Sequence, residues 1–531
     1  MTPRVAVAGG VQATYTSTAL SPDRDAAFDD GLRRARAAVS EHGLLIGGDV
    51  RAGGAGTLVQ RNPADEREEL GSFAAASEAD VAAAIAAARS AQPAWERTPV
   101  VERIATLERA GAVLERRVGE IAAAASLEVG KNRLESVGEV DEVVELIRVY
   151  ALQAAAGFDL ELERAAAGDL HRSVLRPYGV FGVIAPFNFP LALTAGPAAA
   201  ALVAGNTVVA KPSPTTSWTA VLFAEALQEA GLPPGALNVV TGGDEAGRAL
   251  VGSDDVDGIV FTGSYAVGME VARTFAAGGA YPRPAITEMG GKNPAIVTRS
   301  ADLEAAAEGI VRSAFGLSGQ KCSACSRVLV DEALHDELVE RIVAEAATWT
   351  VGDPTHAGSR LGPVHTAAAF DRYADVVEQA RRDGTVAFGG NRLRHGELAH
   401  GWYVEPTVVT RLPPGHPLVR EELFLPVLAV ESSASFAESL RRANDQVYGL
   451  TAGLFSADEG EIETFLDGIQ AGTVFVNRPA GATSGGWPGQ QTYPGWKGSG
   501  STGRGALGPR YVAQFLREQG HTVVGGERSR R

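Results

Sequence analysis

Between residues 180 and 287 the chain alternates short apolar runs with longer segments whose apolar residues recur at helical spacing. Each run has the length of a strand and ends at Gly, Pro or small polar residues. The predicted strands are residues 180–185, 207–210, 238–240, 258–261 and 285–287. Helices are predicted between them, for example at 218–230 and 267–277. Buried strands that alternate with helices predict an α/β fold with a parallel, doubly wound sheet.

The flanking segments continue this pattern. Upstream, we predict helices at 23–42, 78–90, 100–118 and 140–156 and strands at 44–46 and 57–60. Downstream, a second α/β unit is predicted from helices at 303–315, 334–349 and 436–444 and strands at 327–330, 427–430 and 473–476. The stretch 481–505, rich in Gly, Ser, Thr and Trp, has no period and is expected to be a loop.

Composition indicates a soluble globular protein of two to four domains. The 531 residues are 45% hydrophobic and 21% charged, as in ordinary globular proteins. A net charge of −16 argues against nucleic-acid binding, and no apolar run approaches the roughly 20 residues of a membrane span. The first ten residues lack a secretory core, and two cysteines cannot form a disulfide framework. We expect a cytoplasmic protein without nucleic-acid or membrane partners.

Candidate chemical groups lie where the predicted strands end. In parallel sheets, ligands bind at the carboxyl ends of the strands. The residues at those ends are Asn188, Lys211, Gly242, Gly263 and Glu288. The first is an amide between aromatic residues and prolines, which suits an oxyanion donor, although a structural loop asparagine fits as well. The last is a carboxylate beside glycines, either a general base or a surface glutamate that caps a turn.

Cys322 lies in the stretch Gly-Gln-Lys-Cys-Ser-Ala and is a candidate nucleophile. A thiolate attacks carbonyl carbon, and Lys321 or backbone amides are expected to favour it; the alternative is a buried, inert thiol. With Cys325 it forms C-x-x-C, which permits a redox pair or half a zinc site. No second C-x-x-C exists, so we expect no metal.

A phosphate-binding turn is the candidate role for Thr262-Gly263-Ser264, which ends one predicted strand just before a helix at Val267. Backbone amides at a helix N-terminus bind anions, although an ordinary strand-to-helix turn reads the same way. The fingerprint G-x-G-x-x-G is absent after every predicted strand, which argues against an ordinary Rossmann site.

The order of the motifs resembles the aldehyde dehydrogenase superfamily. Along the chain run P-F-N-F-P, V-V-A-K-P, F-T-G-S, E-M-G-G-K-N-P, G-Q-K-C and E-E-L-F-L-P-V, and the resemblance covers about residues 44–515. It implies that Cys322 forms a thiohemiacetal and then a thioester, that Asn188 stabilises the oxyanion, and that Glu288 activates the hydrolytic water. Acylating relatives that use coenzyme A lack this base, so Glu288 favours hydrolysis.

The same resemblance implies a cofactor site for NAD, with NADP possible. Lys211 and Glu422 are expected at the riboses and Phe424 at the nicotinamide end. The remaining implied cofactor residues are Ser213, Gly242, Thr262, Gly263, Ser264, Val267 and Gly290. Pro-Ser-Pro follows Lys211 where NAD-preferring relatives carry an acid, and a missing carboxylate removes one repulsion against a 2′-phosphate. Leu425 stands where relatives have glycine.

Within the superfamily, G-Q-K-C-S-A-C-S-R and Asn477-Arg478 resemble the L-glutamate γ-semialdehyde (1-pyrroline-5-carboxylate) dehydrogenase group. The implied substrate residues are Ser323, Phe189, Gly481 and Ala482. The loop after Ala482 is longer than T-G-A-x-x-G-x-Q-P-F-G-G and carries two tryptophans and a tyrosine. Another aliphatic or aromatic aldehyde is therefore an alternative substrate.

The implied architecture has a Rossmann-like cofactor domain (1–158 and 178–289), a catalytic domain (290–477), a bridging element (159–177 and 478–520) and a flexible tail (521–531). In the family such bridging hairpins join subunits, so a dimer or larger homo-oligomer is expected. Two alternatives from other classes are a thiol redox protein that uses Cys322 and Cys325, and a non-catalytic binding protein. The full set of Cys322, Asn188 and Glu288 argues against the latter.

Overall fold

The computed structural model describes residues 13–37, 40–157, 160–161 and 169–524. Its α-helices are α1 (Pro22–Ala37), α2 (Glu78–Arg97), α3 (Val100–Arg116), α4 (Val118–Val129), α5 (Arg133–Ala155), α6 (Ala192–Ala204), α7 (Trp218–Glu229), α8 (Asp244–Gly252), α9 (Tyr265–Ala277), α10 (Leu303–Phe315), α11 (His335–Ala346), α12 (Ala367–Asp383), α13 (Pro417–Arg420), α14 (Phe436–Asn444) and α15 (Glu459–Gly468).

The strands divide the described chain into two large sheets and smaller pairings. They are β1 (Ser40–His42), β2 (Leu44–Ile46), β3 (Asp49–Arg51), β4 (Thr57–Asn62), β5 (Asp65–Ala74), β6 (Leu160–Glu161), β7 (Leu170–Pro177), β8 (Val180–Ile184), β9 (Thr207–Lys211), β10 (Leu237–Val239), β11 (Gly258–Thr262), β12 (Ala285–Glu288), β13 (Asn293–Val297), β14 (Cys325–Asp331), β15 (Thr385–Phe388), β16 (Arg392–Leu393), β17 (Tyr403–Val404), β18 (Thr407–Thr410), β19 (Val427–Ser433), β20 (Tyr448–Gly449), β21 (Thr451–Phe455), β22 (Thr473–Val476), β23 (Trp496–Lys497) and β24 (Leu516–Val523).

The first large sheet confirms the predicted parallel, doubly wound α/β architecture. Its order is β12-β11-β8-β9-β10-β2-β3, parallel from β12 to β10 and antiparallel at β2 and β3. Val208 packs with α3 to α7, and its neighbour Val209 packs with α2, α8 and α9 on the other face. Because successive side chains of a strand point to opposite faces, this alternation buries the sheet on both sides.

The second large sheet has the order β15-β18-β19-β14-β13-β21-β22, with an antiparallel edge at β15. Val328 packs toward α10 and α11, whereas Leu329 packs toward α14 and α15. The first sheet comes from residues 44–288 and the second from residues 293–476. Only a few residues of chain therefore separate β12 of the first sheet from β13 of the second.

Two terminal predictions are wrong. The first helix ends at Ala37, and His42 lies in β1, which pairs in parallel with β5. Residues 521–523, predicted to belong to a flexible tail, instead continue strand β24, which pairs antiparallel with β7 along its whole length. The predicted hairpin at 159–177 lies partly outside the described residues; β6 and β7 are its described strands and form a three-stranded sheet with β24.

Among the helices of the described residues, none combines the length and the apolar character needed to cross a membrane.

Candidate active site

Cys322 lies in a tight turn between α10 and β14. The turn enters through Leu317, Ser318 and Gly319, all with positive φ, and a Cβ on Gly319 would lie 2.2 Å from the carbonyl oxygen of Leu425. Asn293, the first residue of β13, donates through Nδ2 to the carbonyls of Cys322 at 2.8 Å and Ala324 at 3.0 Å. The second sheet therefore fixes the backbone that presents the thiol.

The environment of Cys322 keeps the thiol protonated in this structure. Burial raises its pKa to about 12, and the carboxylates of Glu422 and Glu288 add to the effect, while the backbone amides of Cys322 and Ser323 oppose it. Lys321 does not supply the positive charge that the sequence suggested, since its ammonium pairs with Glu135 at 2.6 Å. The backbone amides of Cys322 and Ser323 are thus the neighbouring groups that favour a thiolate.

Asn188 reaches the nucleophile turn from the carboxyl end of β8. It is 3% exposed, and its Nδ2 donates to the carbonyl oxygen of Gln320 at 2.9 Å, two residues before the cysteine. The side-chain oxygen of Gln320 accepts from the backbone N–H of His365 at 2.9 Å. A primary amide has two N–H donors, so one remains for a substrate oxygen next to Cys322.

Glu288 is the last residue of β12 and lies within electrostatic reach of Cys322. Within the described part of the chain its Oε1 atom is buried without a hydrogen-bond partner, and a backbone hydrogen bond from Gly495 stabilises the carboxylate. Burial raises the pKa of this carboxyl well above its ordinary value. A carboxyl with one free, buried oxygen and a raised pKa is suited to take a proton from water.

The residues predicted to hold the adenosine half of the cofactor lie at or just after the ends of strands β9 and β11. Lys211 ends β9, and its Nζ donates to the carbonyls of Pro212 and Gly242, each at 3.0 Å. Burial lowers the pKa of this lysine to about 8.

Thr262 ends β11, and Ser264 caps α9 by accepting from the N–H of Val267 at 3.4 Å, with Gly263 between them. Ser213 lies beyond Lys211, and its hydroxyl contacts that of Thr215 at 3.0 Å.

The predicted nicotinamide side is built around Glu422. Its Oε1 accepts from the N–H of Gly291 at 2.9 Å, and a Cβ on Gly290 would lie 2.0 Å from its Oε2, so a side chain there would displace the carboxylate. Burial raises the pKa of Glu422 to about 7. Phe424, with φ of 54°, meets the ring of Phe187 edge to face at 5.9 Å.

These groups fit a dinucleotide. Among the described residues the buried ammonium of Lys211 donates its hydrogen bonds to backbone carbonyls, the start of α9 offers a helix N-terminus, and Glu422 offers carboxylate oxygens. Lys211 is complementary to the hydroxyls of one ribose, the start of α9 to the pyrophosphate, and Glu422 to the second ribose.

The predicted substrate residues lie around the turn that carries Cys322, but the backbone N–H groups of Gly481 and Ala482 are hydrogen-bonded within the protein. The N–H of Ala482 donates to the carbonyl of Gly309 at 2.9 Å, and that of Gly481 to Arg478 at 3.3 Å. In this structure, therefore, neither N–H is free to bind a substrate carboxylate. Ser323 is 8% exposed, and the hydroxyl of Tyr493 interacts with its side chain. Tyr493 comes from the divergent loop.

Phe189 lines the same region. Its ring lies 3.6 Å from Nζ of Lys131, which is paired with Glu139. Glu139 also accepts from the N–H groups of Leu191 and Ala192, at 3.0 Å each. A buried ion pair with these added hydrogen bonds fixes the turn that carries Asn188.

Cys325 is separate from this site. It is 1% exposed, its Sγ contacts the carbonyl of Arg327 at 3.6 Å, and it packs in the core between the second sheet and α10. Both cysteines are free thiols. The redox-pair alternative has no support in this arrangement.

Sequence reasoning missed the residues that support the nucleophile turn. Asn293 and Gln320 act through backbone carbonyls, and Tyr493 lies in a loop without a period. Asn293 and Gln320 both lie within the family motifs. Their polar side chains next to the nucleophile were therefore the available signal that they support the cysteine turn. For Tyr493 the signal was the divergent loop that carries it, although the sequence of that loop did not indicate a contact with Ser323.

Comparisons with known proteins agree with this geometry. The model of the aldehyde dehydrogenase family matches residues 50–519. The 1-pyrroline-5-carboxylate dehydrogenase of Bacillus cytotoxicus is 36% identical over 494 residues, which cover 92% of this chain and 94% of that protein. The enzyme of that name from a Geobacillus species is 35% identical over 502 residues, covering 94% and 95%.

A crystal structure of 1-pyrroline-5-carboxylate dehydrogenase from Thermus with bound NAD has the same fold, with a TM-score of 0.92 at 33% identity. The match covers 98% of this chain and 100% of that one. Family model, relatives and fold all span nearly the whole sequence, and the chain therefore belongs to the aldehyde dehydrogenase family.

Proposed function

We propose that the protein oxidises L-glutamate γ-semialdehyde to glutamate with NAD as hydride acceptor. The observation that carries the chemistry is the convergence of Asn188 and Glu288, from the first sheet, on the turn that presents Cys322 from the second. The named relatives support the substrate and, through the Thermus structure with bound NAD, the cofactor.

The chain supplies each group that thioester chemistry needs. Cys322 releases its proton to solvent water and adds through sulfur to the aldehyde carbon, and Asn188 with the backbone N–H of Cys322 stabilises the oxyanion. When bound, the nicotinamide accepts the hydride that leaves this carbon. Glu288 then takes a proton from water, which attacks the Cys322 thioester and releases the carboxylate and the thiol.

The cofactor would be held by the edge described above. Lys211 and Glu422 are the proposed ribose ligands, Ser213, Gly242, Thr262, Gly263, Ser264, Val267 and Gly290 line the path, and Phe424 lies at the nicotinamide end. No carboxylate follows Lys211 in Pro212-Ser213-Pro214, so one repulsion against a 2′-phosphate is missing and NADP should be tolerated beside NAD. Dissociation constants for the two nucleotides measure this preference.

Cys322→Ser tests the nucleophile, with Cys325→Ser as its matched control. We expect the first variant to lose NADH formation by at least about a thousandfold, because a serine hydroxyl is a far weaker nucleophile without an adjacent base. The second should retain activity within a small factor. Retained turnover in Cys322→Ser, or equal loss in both variants, would refute the assignment.

A second substrate class has one observation in its favour. The N–H groups of Gly481 and Ala482, implied as carboxylate ligands, are engaged internally, and the neighbouring loop brings in Trp487 and Tyr493. An aliphatic or aromatic aldehyde without an amino-acid end is therefore the alternative. Initial rates with glutamate semialdehyde, phenylacetaldehyde and simple alkanals decide, since a strong preference for alkanals would exclude the amino-acid substrate.

We also propose an assignment of domains along the chain. Residues 1–158 and 178–289 form the cofactor domain, 290–477 the catalytic domain, and 159–177 with 478–520 and the rest of β24 the bridging element of a cytoplasmic homo-oligomer. The support for the last is the sheet β24-β7-β6, whose strand β24 is largely exposed along its length. Light scattering measures the number of subunits.

A further inference from the structure

His365 is a buried histidine that the chemistry above does not use. It is 7% exposed and lies in the segment between α11 and α12. The N–H of the preceding residue, Val364, donates to the carbonyl of Trp402 at 2.9 Å, and the following residue, Thr366, caps α12 through its side chain. The backbone that carries the imidazole is therefore held on both sides of it.

The imidazole of His365 is placed by one stacked ring and one hydrogen bond. It lies nearly parallel to the ring of Phe187, with the centroids 4.3 Å apart and the planes at 7°. Its Nε2 lies 2.7 Å from the hydroxyl of Thr215, which in turn contacts the hydroxyl of Ser213 at 3.0 Å. Burial lowers the pKa of the imidazole to about 4, so the ring is uncharged at neutral pH. The imidazole thus joins the segment after β8 to the segment after β9.

Asn188 is reached from His365 by two routes, which together form a closed loop of contacts. On one route the imidazole stacks on Phe187, the residue directly before Asn188. On the other, the N–H of His365 donates to the side-chain oxygen of Gln320 at 2.9 Å, and the backbone carbonyl of Gln320 accepts from Asn188 at 2.9 Å. An oxyanion donor works only when it is held in place before the charge develops, and such support comes from the side chains packed behind it.

We propose that His365 is a positioning residue: its imidazole holds Phe187 and thereby orients the amide of Asn188 toward the developing oxyanion. The assignment rests on the thioester chemistry of the proposed function, and it holds whichever aldehyde the enzyme oxidises. Loss of the imidazole would leave space beside Phe187 into which that ring can turn. A displacement of about 1 Å in a group that meets the transition state can cost about a hundredfold in rate.

The test is the acylation of Cys322 by 4-nitrophenyl acetate, which isolates the oxyanion step. The thiol gives its proton to solvent, and its sulfur bonds to the ester carbonyl carbon, which places a negative charge on the carbonyl oxygen. Return of that electron pair expels 4-nitrophenolate and leaves an acetyl thioester. No hydride is transferred and no cofactor is required, so the rate of 4-nitrophenolate release reports on the oxyanion donor alone.

His365→Ala should slow this acylation by about tenfold or more, because the amide of Asn188 loses its support. Asn188→Ala should lose about a hundredfold, as for removal of other oxyanion donors. In the Asn188→Ala background, His365→Ala should cost less than about twofold, since the group through which it acts is already absent. Additive losses, or an unchanged rate in His365→Ala, would overturn the proposal.

Three further variants separate positioning from a loss of stability. His42→Ala is the matched control, because that imidazole stacks on Phe73 at 4.7 Å and 17° in the small sheet of β1, β5 and β4. It should leave the acylation rate within about twofold, even where it lowers the unfolding temperature as much as His365→Ala does. His365→Phe keeps a flat ring against Phe187 and should recover most of the rate. Thr215→Val removes only the partner of Nε2 and should give an intermediate rate. If His365→Phe were as slow as His365→Ala, or His42→Ala equally slow, the proposal would fall.

The same rates separate this proposal from the proposed function. If Asn188→Ala is acylated at the wild-type rate, the oxyanion role of Asn188 in the proposed function is wrong, and the role of His365 falls with it. If Asn188→Ala is slow while His365→Ala matches the wild-type protein, only the assignment of His365 fails.

Discussion

At the scale of single residues, Glu288 has the least compensated position in the site. One carboxyl oxygen is buried with no hydrogen-bond partner among the described residues, and burial raises the pKa well above its ordinary value of 4.5. The carboxylate form of Glu288, which is the base, therefore increases as pH rises through the raised pKa. Hydrolysis of the thioester should accelerate over the same pH range.

Glu288→Gln is predicted to separate the two halves of the reaction. The amide cannot accept a proton, so steady-state turnover should fall by about a hundredfold or more, as for other general bases. The first hydride transfer should survive as a burst of NADH of about one equivalent per active site. Rapid-mixing absorbance measures the burst, and the steady-state rate of the variant should lose the rise with pH.

A burst that disappeared together with turnover would contradict this role, because Glu288 would then act before the hydride leaves. Retained binding of NAD in the variant is the control that the site remains intact.

Residue types with their own chemistry were predictable from sequence, whereas residues that support them were not. Cys322, Asn188 and Glu288 were candidates from reactive groups in glycine- and proline-rich contexts, the order of the family motifs gave them roles, and those roles remain proposals. Asn293 escaped because its amide donates to the carbonyl of Cys322, 29 residues away, and Gln320 because its own carbonyl accepts from Asn188, 132 residues away. Such contacts depend on how two sheets meet, which no local pattern records.

At the scale of elements, the turn between α10 and β14 is the most constrained segment near the site. Gly319 has φ of 69°, and a Cβ there would approach the carbonyl of Leu425 to 2.2 Å. The glycine is required by both backbone conformation and contact with the segment that carries Phe424. Moving this turn would displace Cys322 relative to Asn188.

Gly319→Ala is predicted to lower the free energy of unfolding by about 2 kcal/mol or more and to reduce kcat, since strain and steric contact add. Gly252→Ala is the matched control, because it lies in α8 with nothing within 4 Å of the added Cβ. That variant should be neutral or stabilised by up to about 1 kcal/mol. Thermal and denaturant unfolding give the values; equal effects of the two changes would contradict the argument.

The success of strand and helix prediction followed the strength of the hydrophobic pattern. Strands β8 to β12 appeared within a residue or two of the apolar runs. Helix α6 was not assigned because it is apolar on every side, which removes the amphipathic period. Strand β13 was not assigned because Pro294 interrupts it, and the structure accommodates the proline at a register shift beside β14.

At the scale of the whole molecule, the last described strand joins distant parts of the chain. Strand β24 pairs with β7 from Leu516 opposite Pro177 to Val523 opposite Leu170. Just before it, the carbonyl of Phe515 accepts from Nδ2 of the buried Asn206 at 2.9 Å, beside the start of β9. The C-terminal region therefore both completes the small sheet and contacts the first large one.

A chain that ends at Phe515 is predicted to lose the proposed assembly. Without β24, one edge of β7 is unpaired, and about a kcal/mol is lost for each missing backbone hydrogen bond. We expect a smaller mass by light scattering and a lower unfolding temperature. A chain that ends at Val524 is the control and should match the full-length protein; unchanged mass on removal of β24 would show that the strand does not serve the assembly.

The resting state of the nucleophile has a consequence for chemical damage. Peroxides oxidise the sulfur anion rather than its protonated form, and the thiol of Cys322 is protonated at neutral pH because burial raises its pKa to about 12. Free enzyme therefore tolerates oxidative stress better than one that carries a permanently ionised cysteine. Vulnerability is confined to the brief part of each cycle in which sulfur is prepared for attack.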